Sequence, residues 1–526
     1  MPTAFAPLHP HRARACRAAL AVAGALGLAV AAAPSPGALA SLPGSPPCGG
    51  STQAGGEWRA YGHDSSNTRT QPDEHLISTA SARALAPRWT FSLSSVGDAG
   101  QFESTPLVAD GCAFVAATNG AVYAVDASTG KLLWRHAFTV ATPGLGGAIV
   151  GGAALDAGRV EVIVNETGNG AAAGPYVAAL DEHTGALLWA SRPLSSASGY
   201  YSNATPQVIG GVVVAGFSPP EGDSTGQGGF ALIDAGSGAT VKVTPTISAA
   251  DQKLGFAGGG IWSTPAWDPA AGFAYVGAGN PYSKDREDVH TNAILKVDMQ
   301  AGSPTFGDIV ASFKGNVDQY AKTLQALSHT PACAASAAAP DPLDDPACGQ
   351  LDLDFGAAPN LFKERGRLLV GDLQKSGVYH VADASTMAPV WSTVVGATCQ
   401  ACNAASAAFD GSSVIDESTP GGLMFALHGN GGALRWVLPI ADGAHYEATS
   451  VANGVAYTFD TAGFFDVVNA ATGLPIIRRP MTVDTQSPTG SLTSGGIAIA
   501  YHTVYVAASG GPGNGLPADG FLIAYG

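Results

Sequence analysis

Positive charge is what this chain of 526 residues has least of: 25 lysines and arginines stand against 41 aspartates and glutamates, for a net charge of −16. Phosphate backbones are bound by clustered basic side chains, and no basic tract follows the N-terminus, which argues against a nucleic-acid partner. Long apolar runs are also missing beyond residue 33, so no later segment is long enough to span a bilayer. The sequence has no CxxCH, which excludes c-type haem attachment by that motif. Only 13% of residues are charged, whereas glycine reaches 69 and proline 35. That balance favours many tight turns between short strands over long helices.

The N-terminus has a logic of its own. His11, Arg12, Arg14 and Arg17 precede an apolar run, Ala18 to Ala33, and Ala38-Leu39-Ala40 offers small residues for cleavage. Residues 1–40 therefore read as a secretory signal peptide, 41–56 as a flexible linker, and the mature protein as secreted or periplasmic. Of seven cysteines, Cys16 falls in the signal. An even set remains for an oxidising compartment: Cys48, Cys112, Cys333, Cys348, Cys399 and Cys402. Proximity suggests Cys333 with Cys348 and Cys399 with Cys402, although spacing alone does not determine pairing.

One pattern recurs along the rest: an apolar strand, an acidic or polar turn ending in Gly, and a second strand often closed by Trp. VYAVDASTGKLLW ends at Trp134, YVAALDEHTGALLW at Trp189, YHVADASTMAPVW at Trp391 and MFALHGNGGALRW at Trp436. Weaker copies surround Asp234, Asp298 and Asn469, and a last one, FLIAYG, stops at Gly526. Most copies follow another strand pair with period-2 alternation, which makes four strands per unit. Eight such units imply an all-β, eight-bladed β-propeller of four-stranded antiparallel blades, one domain over 57–526. The truncated last copy lacks its outer strand, and PRWTFSL (87–93) is an outer-type strand with no blade before it. The N-terminal strand is thus expected to complete the final blade and close the ring, removing exposed sheet edges. The longest step, from Asp298 to Asp383, holds an insertion loop at 329–350.

The Trp- and TG-containing repeat resembles that of pyrroloquinoline quinone (PQQ) propellers. Several segments sharpen the likeness to quinoprotein alcohol dehydrogenases, polyvinyl-alcohol-dehydrogenase-like proteins above all. They are EWRAYGHDSSNTRTQPD (57–73), FESTPLV (102–108), GGGIW (258–262), GAGNP (277–281), LDFGAAP (353–359) and LQKSG (373–377), in family order. The resemblance implies a PQQ- and calcium-dependent dehydrogenase that oxidises an alcohol and hands electrons to a separate acceptor, such as a cytochrome c or a quinone. It also implies roles: Glu103 at the polar rim of the quinone, Trp262 as its floor, and Lys375 beside its carbonyls. Glu166, Asn280 and Asp354 would ligate calcium, with Asp354 also the general base.

Each assignment has an ordinary alternative. PQQ is a flat, tricarboxylated ortho-quinone, so it needs an aromatic plane and polar edge groups; Trp262 supplies the plane unless it is a blade-packing Trp like Trp134, Trp189, Trp391 and Trp436. Calcium takes oxygen ligands and acts as a Lewis acid; Asn280 offers one unless Asn-Pro merely starts a turn. Glu166 requires a gap in the repeat alignment. Asp352 rivals Asp354, because alternation puts both on one face of a strand. Lys375 in a turn and Glu103 before a strand are unremarkable apart from their contexts. The adjacent cysteine pair of the best-known relatives is missing, CQAC (399–402) lies in a later blade, and one isolated CxxC is a weak zinc signal. A second reading is a cofactor-free propeller that binds or scaffolds other envelope proteins.

Overall fold

Eight sheets follow one another along the chain, each built on four antiparallel strands, and Thr70–Gln71 adds a fifth strand to one of them, parallel to Ser450–Ala452. A computed structural model describes residue 48 and residues 53–138, 149–165, 174–195, 197, 199–283, 287–316, 353–396, 403–419, 422–440, 448–460, 462–485, 492–510 and 518–526. Blades 1 to 4 occupy 107–137, 153–190, 207–245 and 266–314; blades 5 to 7 occupy 360–394, 408–439 and 450–480. Blade 8 comprises 492–525 and, as its outermost strand, Pro87–Ser92, which pairs antiparallel with Asp519–Tyr525 in a register that sets Trp89 against Ala524. The ring is closed as the truncated last repeat requires. The described residues form part of one compact unit, and among them no helix is long and apolar enough to cross a membrane.

The repeat signature has a physical explanation. In blade 1 the Asp126 carboxylate accepts hydrogen bonds from the amides of Ser128 and Thr129, which bends the chain back between the third and fourth strands. Gly130 then adopts φ 70°, and the Trp89 indole of blade 8 lies so close that a Cβ there would meet it at 2.5 Å. Trp89 Nε1 donates to Ala127 O at 3.2 Å. The same docking recurs: Trp134 reaches Glu182 O at 3.0 Å, Trp189 reaches Ala235 O at 3.0 Å, Trp391 reaches Gly429 O at 3.2 Å and Trp436 reaches Ala470 O at 2.9 Å. Each of these outer-strand Trp residues is therefore a buckle onto the turn of the next blade, and the turn glycine, which follows Thr in three of the five, is the surface it lies on.

The segment 56–71 winds across one end of the hub and bonds to seven blades. Trp58 exchanges both backbone hydrogen bonds with Val108 of blade 1. Arg59 O accepts from Leu155 N of blade 2, Ser65 O from Trp267 N of blade 4, and Ser66 O from Leu361 N of blade 5. Thr68 O accepts from Phe409 N of blade 6, Arg69 O from Val451 N of blade 7, and Gly56 O from Tyr501 N of blade 8. At its centre the buried Arg69 guanidinium donates to Tyr61 O at 2.6 Å, Thr449 O at 2.8 Å and Ile497 O at 3.2 Å. Backbone groups at the inner strand ends would otherwise lack partners, and this plug supplies them.

Cys48, in the stretch read as a linker, is disulfide-bonded to Cys112 of blade 1, and its carbonyl contacts the His183 ring. The pairings suggested for Cys333, Cys348, Cys399 and Cys402 lie outside the described residues, as do the signal peptide, the insertion loop and Glu166.

Candidate functional site

Trp262 and Asn280 stand eighteen positions apart in sequence because two glycine-rich stretches zip together at the inner end of blade 4. Gly259 N donates to Asn280 O at 2.9 Å, Gly279 N to Gly260 O at 2.8 Å, and Tyr282 N to Ala257 O at 2.9 Å. The approach needs glycine: a Cβ on Gly258, which has φ 100°, would meet Asn280 O at 2.4 Å. Ser263 Oγ seals the far end, accepting from Gly277 N at 2.9 Å.

A third stretch joins from the entry to blade 5. Phe355 N donates to Ala278 O at 3.3 Å, and Lys375 N donates to Asp354 O at 2.9 Å. The Asp354 and Lys375 side chains then meet, Nζ to Oδ2, at 3.0 Å. Lys375 Nζ also stands 4.7 Å from the centroid of the Trp262 ring, within cation–π range. Asn280, Asp354 and Lys375 are nearly fully buried, at 5%, 5% and 6% exposure, while Trp262 is half-buried. All four line one cavity of about 170 Å³, together with Tyr201, Glu221 and Tyr282.

Glu103 stands elsewhere. It lines a neighbouring cavity of about 420 Å³ with Tyr61 of the plug, Ser104, Thr205 and Ser406. Trp262 and Asn203 belong to the walls of both chambers, so the indole divides the space at the hub. Burial raises the Glu103 carboxyl above the usual range. Four of the expected residues thus meet in one chamber, Glu103 borders the adjoining one, and Glu166 lies outside the described residues. Asp354 is set in the wall; its rival Asp352 is also outside them.

Several residues of the site carry no sequence signal strong enough to single them out. Gly356 is the contact under the indole, where a Cβ would sit 2.0 Å from Trp262 Cη2. Asn403 donates from Nδ2 to Lys375 O at 3.1 Å and holds the turn that bears the lysine. Gln374 bridges Leu353 O, at 2.8 Å, and His380 Nε2, at 3.1 Å; burial lowers that imidazole to about 4, so it is neutral near pH 7. Tyr282 donates to Glu221 Oε2 at 3.2 Å. Burial first, then the negative field of Glu221, pushes its phenol well above the ordinary value.

The walls suit a planar, polyanionic ligand. Trp262 gives an aromatic face, Lys375 a buried cation, and Asn280 and Asp354 give oxygens. Ser218 Oγ, buried at the same cavity, has no hydrogen-bond partner among the described residues, and a polar ligand would supply one. Among those residues no group of three or more His, Cys, Asp or Glu side chains is placed to hold a metal, so Asn280 and Asp354 are an incomplete calcium shell by themselves.

Comparison with known proteins converges on one fold. Against solved structures, the chain superposes on the quinohemoprotein alcohol dehydrogenase from Comamonas testosteroni with a TM-score of 0.67, at 15% identity over 89% of this chain and 80% of that one. The fold is that of the quinoprotein alcohol dehydrogenases. A europium-containing methanol dehydrogenase gives a TM-score of 0.66 at 14% identity, covering 89% of this chain and 98% of that one. In sequence, the chain is 30% identical to quinohemoprotein alcohol dehydrogenase ADH IIB of Pseudomonas putida over 260 residues, 45% of this chain and 36% of that protein. It is 25% identical to polyvinylalcohol dehydrogenase of Sphingopyxis sp. (strain 113P3) over 475 residues, 80% of this chain and 66% of that protein. The matched part is less than two thirds of the length of either relative. Residues 75–280 also match the family model described as outer membrane protein assembly factor BamB.

Proposed function

We propose that this chain is a PQQ-dependent alcohol dehydrogenase that acts outside the cytoplasm after removal of residues 1–40. The observation that carries the reading is the convergence of Trp262, Asn280, Asp354 and Lys375, from two blades, on one hub cavity. PQQ, when bound, supplies an electrophilic carbonyl carbon able to accept a hydride. Trp262 would carry the ring plane, with Gly356 keeping the indole seated, and Glu103 would serve the polar rim from the adjoining chamber. Calcium would be held by Asn280 and Asp354 with Glu166, and would polarise the quinone as a Lewis acid.

Asp354 is the general base: its carboxylate takes the proton of the alcohol hydroxyl as the carbon-bound hydrogen departs with its electron pair. Lys375 offsets its charge and donates hydrogen bonds where negative charge accumulates. Electrons leave to a separate acceptor, such as a cytochrome c or a quinone. Incubation with PQQ and calcium should give a quinone-loaded protein that reduces a dye with primary, secondary or polymeric alcohols. A protein that takes up no quinone and reduces no dye would sink the reading and leave the envelope-scaffold alternative, which the match over 75–280 favours.

A further inference from the structure

Two buried polar side chains behind the chamber grip the main chain on either side of Asp354. Gln374 ends the second strand of blade 5, Arg367–Gln374, and His380 lies on the third, Val378–Asp383. His380 stands opposite Asp372 in that antiparallel pair, so Gln374, two positions on, shares its face as a diagonal neighbour. Their exposures are 0% and 5%.

The Gln374 amide is fully engaged. Nε2 donates to Leu353 O at 2.8 Å and to Asn316 O at 3.0 Å. Oε1 accepts from Asn316 N at 3.0 Å, Ser376 Oγ at 2.8 Å and His380 Nε2 at 3.1 Å. A backbone N–H only donates and a carbonyl only accepts, so these partners fix which way round the amide lies. His380 Nε2 must then carry the hydrogen, and Nδ1 accepts from Ser392 Oγ at 2.9 Å. Residues 317–352 run from Asn316 to Leu353, so one side chain ties the two ends of that connection together immediately before Asp354. The residue after Asp354 is held from the same side: the Phe355 ring meets that of His380 edge-on, with centroids 5.7 Å apart. Gly315 leaves room for both contacts, since a Cβ there would meet Phe355 Cε2 at 2.6 Å and Gln374 Nε2 at 2.7 Å.

We propose that Gln374 and His380 are positioning residues for the proton transfer: they hold the chain on both sides of Asp354 so that its carboxylate stays within reach of Lys375 and of the alcohol proton. Gln374 precedes Lys375 directly, so one amide sets the backbone of both members of the ion pair. The proposal rests on the dehydrogenase reading, with Asp354 as the base, and adds what keeps that base in place.

Two measurements test it. In the cofactor-free protein, Gln374→Met should speed hydrogen exchange at the Phe355 and Lys375 amides about tenfold or more, with the Trp58 and Val108 amides unchanged. With PQQ and calcium, kcat per bound quinone should fall about tenfold or more, while KM changes by less than about threefold. His380→Phe keeps a ring against Phe355 and removes one donor, so its loss should be about threefold. Neither substitution should lower kcat further in an Asp354→Asn background, because each acts through the carboxylate that is already gone. Equal losses in both backgrounds, unchanged exchange at Phe355 and Lys375, or faster exchange at all four amides would make the pair ordinary blade packing and overturn the proposal. So would an unchanged kcat in a loaded Gln374→Met protein, and each of these outcomes leaves the dehydrogenase reading standing. If Gln374→Met takes up no quinone, His380→Phe replaces it in the comparison and the same criteria decide. Absence of quinone uptake by the wild-type protein overturns both readings.

Discussion

At the scale of single residues, the site depends on a few atoms whose neighbours leave no room for change. Asp354→Asn keeps the size of the side chain and removes the base, so it should retain quinone binding and lose about 100-fold or more in dye-linked kcat. Turnover within tenfold of wild type would discard Asp354 as the base. Gly356→Ala places a methyl where the indole edge now lies, 2.0 Å from Cη2, and should displace Trp262. Its PQQ affinity in equilibrium dialysis should then fall with that of Trp262→Ala; an unchanged affinity in both would make the indole a packing residue. Trp262, Asn280, Asp354 and Lys375 could be picked out in the sequence only through resemblance, since a tryptophan, an Asn-Pro turn or a lysine in a loop each has a common structural explanation. Gly356 acts through its contact with the Trp262 ring, and Asn403 through bonds that join Lys375 of blade 5 to Ser418 and Thr419 of blade 6, and a linear pattern does not encode such contacts.

At the scale of elements, the Trp buckles and the hub plug hold neighbouring blades in register. Trp134 is 2% exposed, so Trp134→Ala should cost about 3–5 kcal/mol, seen as a lower urea midpoint. The plug makes a sharper prediction. Arg69→Met keeps the length of the side chain but takes the donor from Thr449 O, while Ile497 O keeps Ser450 Oγ at 2.8 Å and Tyr61 O keeps Trp58 Nε1 at 3.4 Å, so the substitution should cost about 1–3 kcal/mol. A destabilisation of less than about 1 kcal/mol would show that water replaces the guanidinium there. The repeat made the blades and their outer tryptophans legible, because strand alternation and the Asp-to-Gly turn are local. The plug was visible only as a signature of unknown purpose, because its partners are spread over the whole chain.

At the scale of the molecule, the buried and turn carboxylates set opposite pH limits. Ser237 and Ser385 hydroxyls hold the turn aspartates Asp234 and Asp383 below the ordinary range, so their contribution is present above about pH 4 and is lost as pH falls. Burial raises Glu161 to about 8 even though Arg159 touches it at 3.1 Å, and burial likewise raises Asp372 and Asp416. Burial outweighs the ion pair because Glu161 is fully enclosed and its second oxygen has no hydrogen-bond partner among the described residues. These groups bind protons more tightly folded than unfolded, so their contribution is complete below about pH 4.5 and fades as pH rises through their native values. Thermal unfolding followed across pH should therefore show a maximum near about pH 5, with Tm falling on both sides. A Tm that rises steadily to pH 8 would mean that these carboxylates are solvated in solution.

What the amino-acid order determined alone is the repeating strand pattern, the number of blades, and the closure of the ring by a strand from the other end. Those features depend on period-2 alternation, turn chemistry and the need to cover sheet edges, all of which are written within a few residues of each other. The tertiary structure alone decided which chamber each site residue faces, that the segment 56–71 seals the hub, and that Cys48 pairs with Cys112. Those outcomes depend on the angle at which separate blades meet round an axis, and that angle is set by the sum of many packing contacts that no short stretch of chain contains.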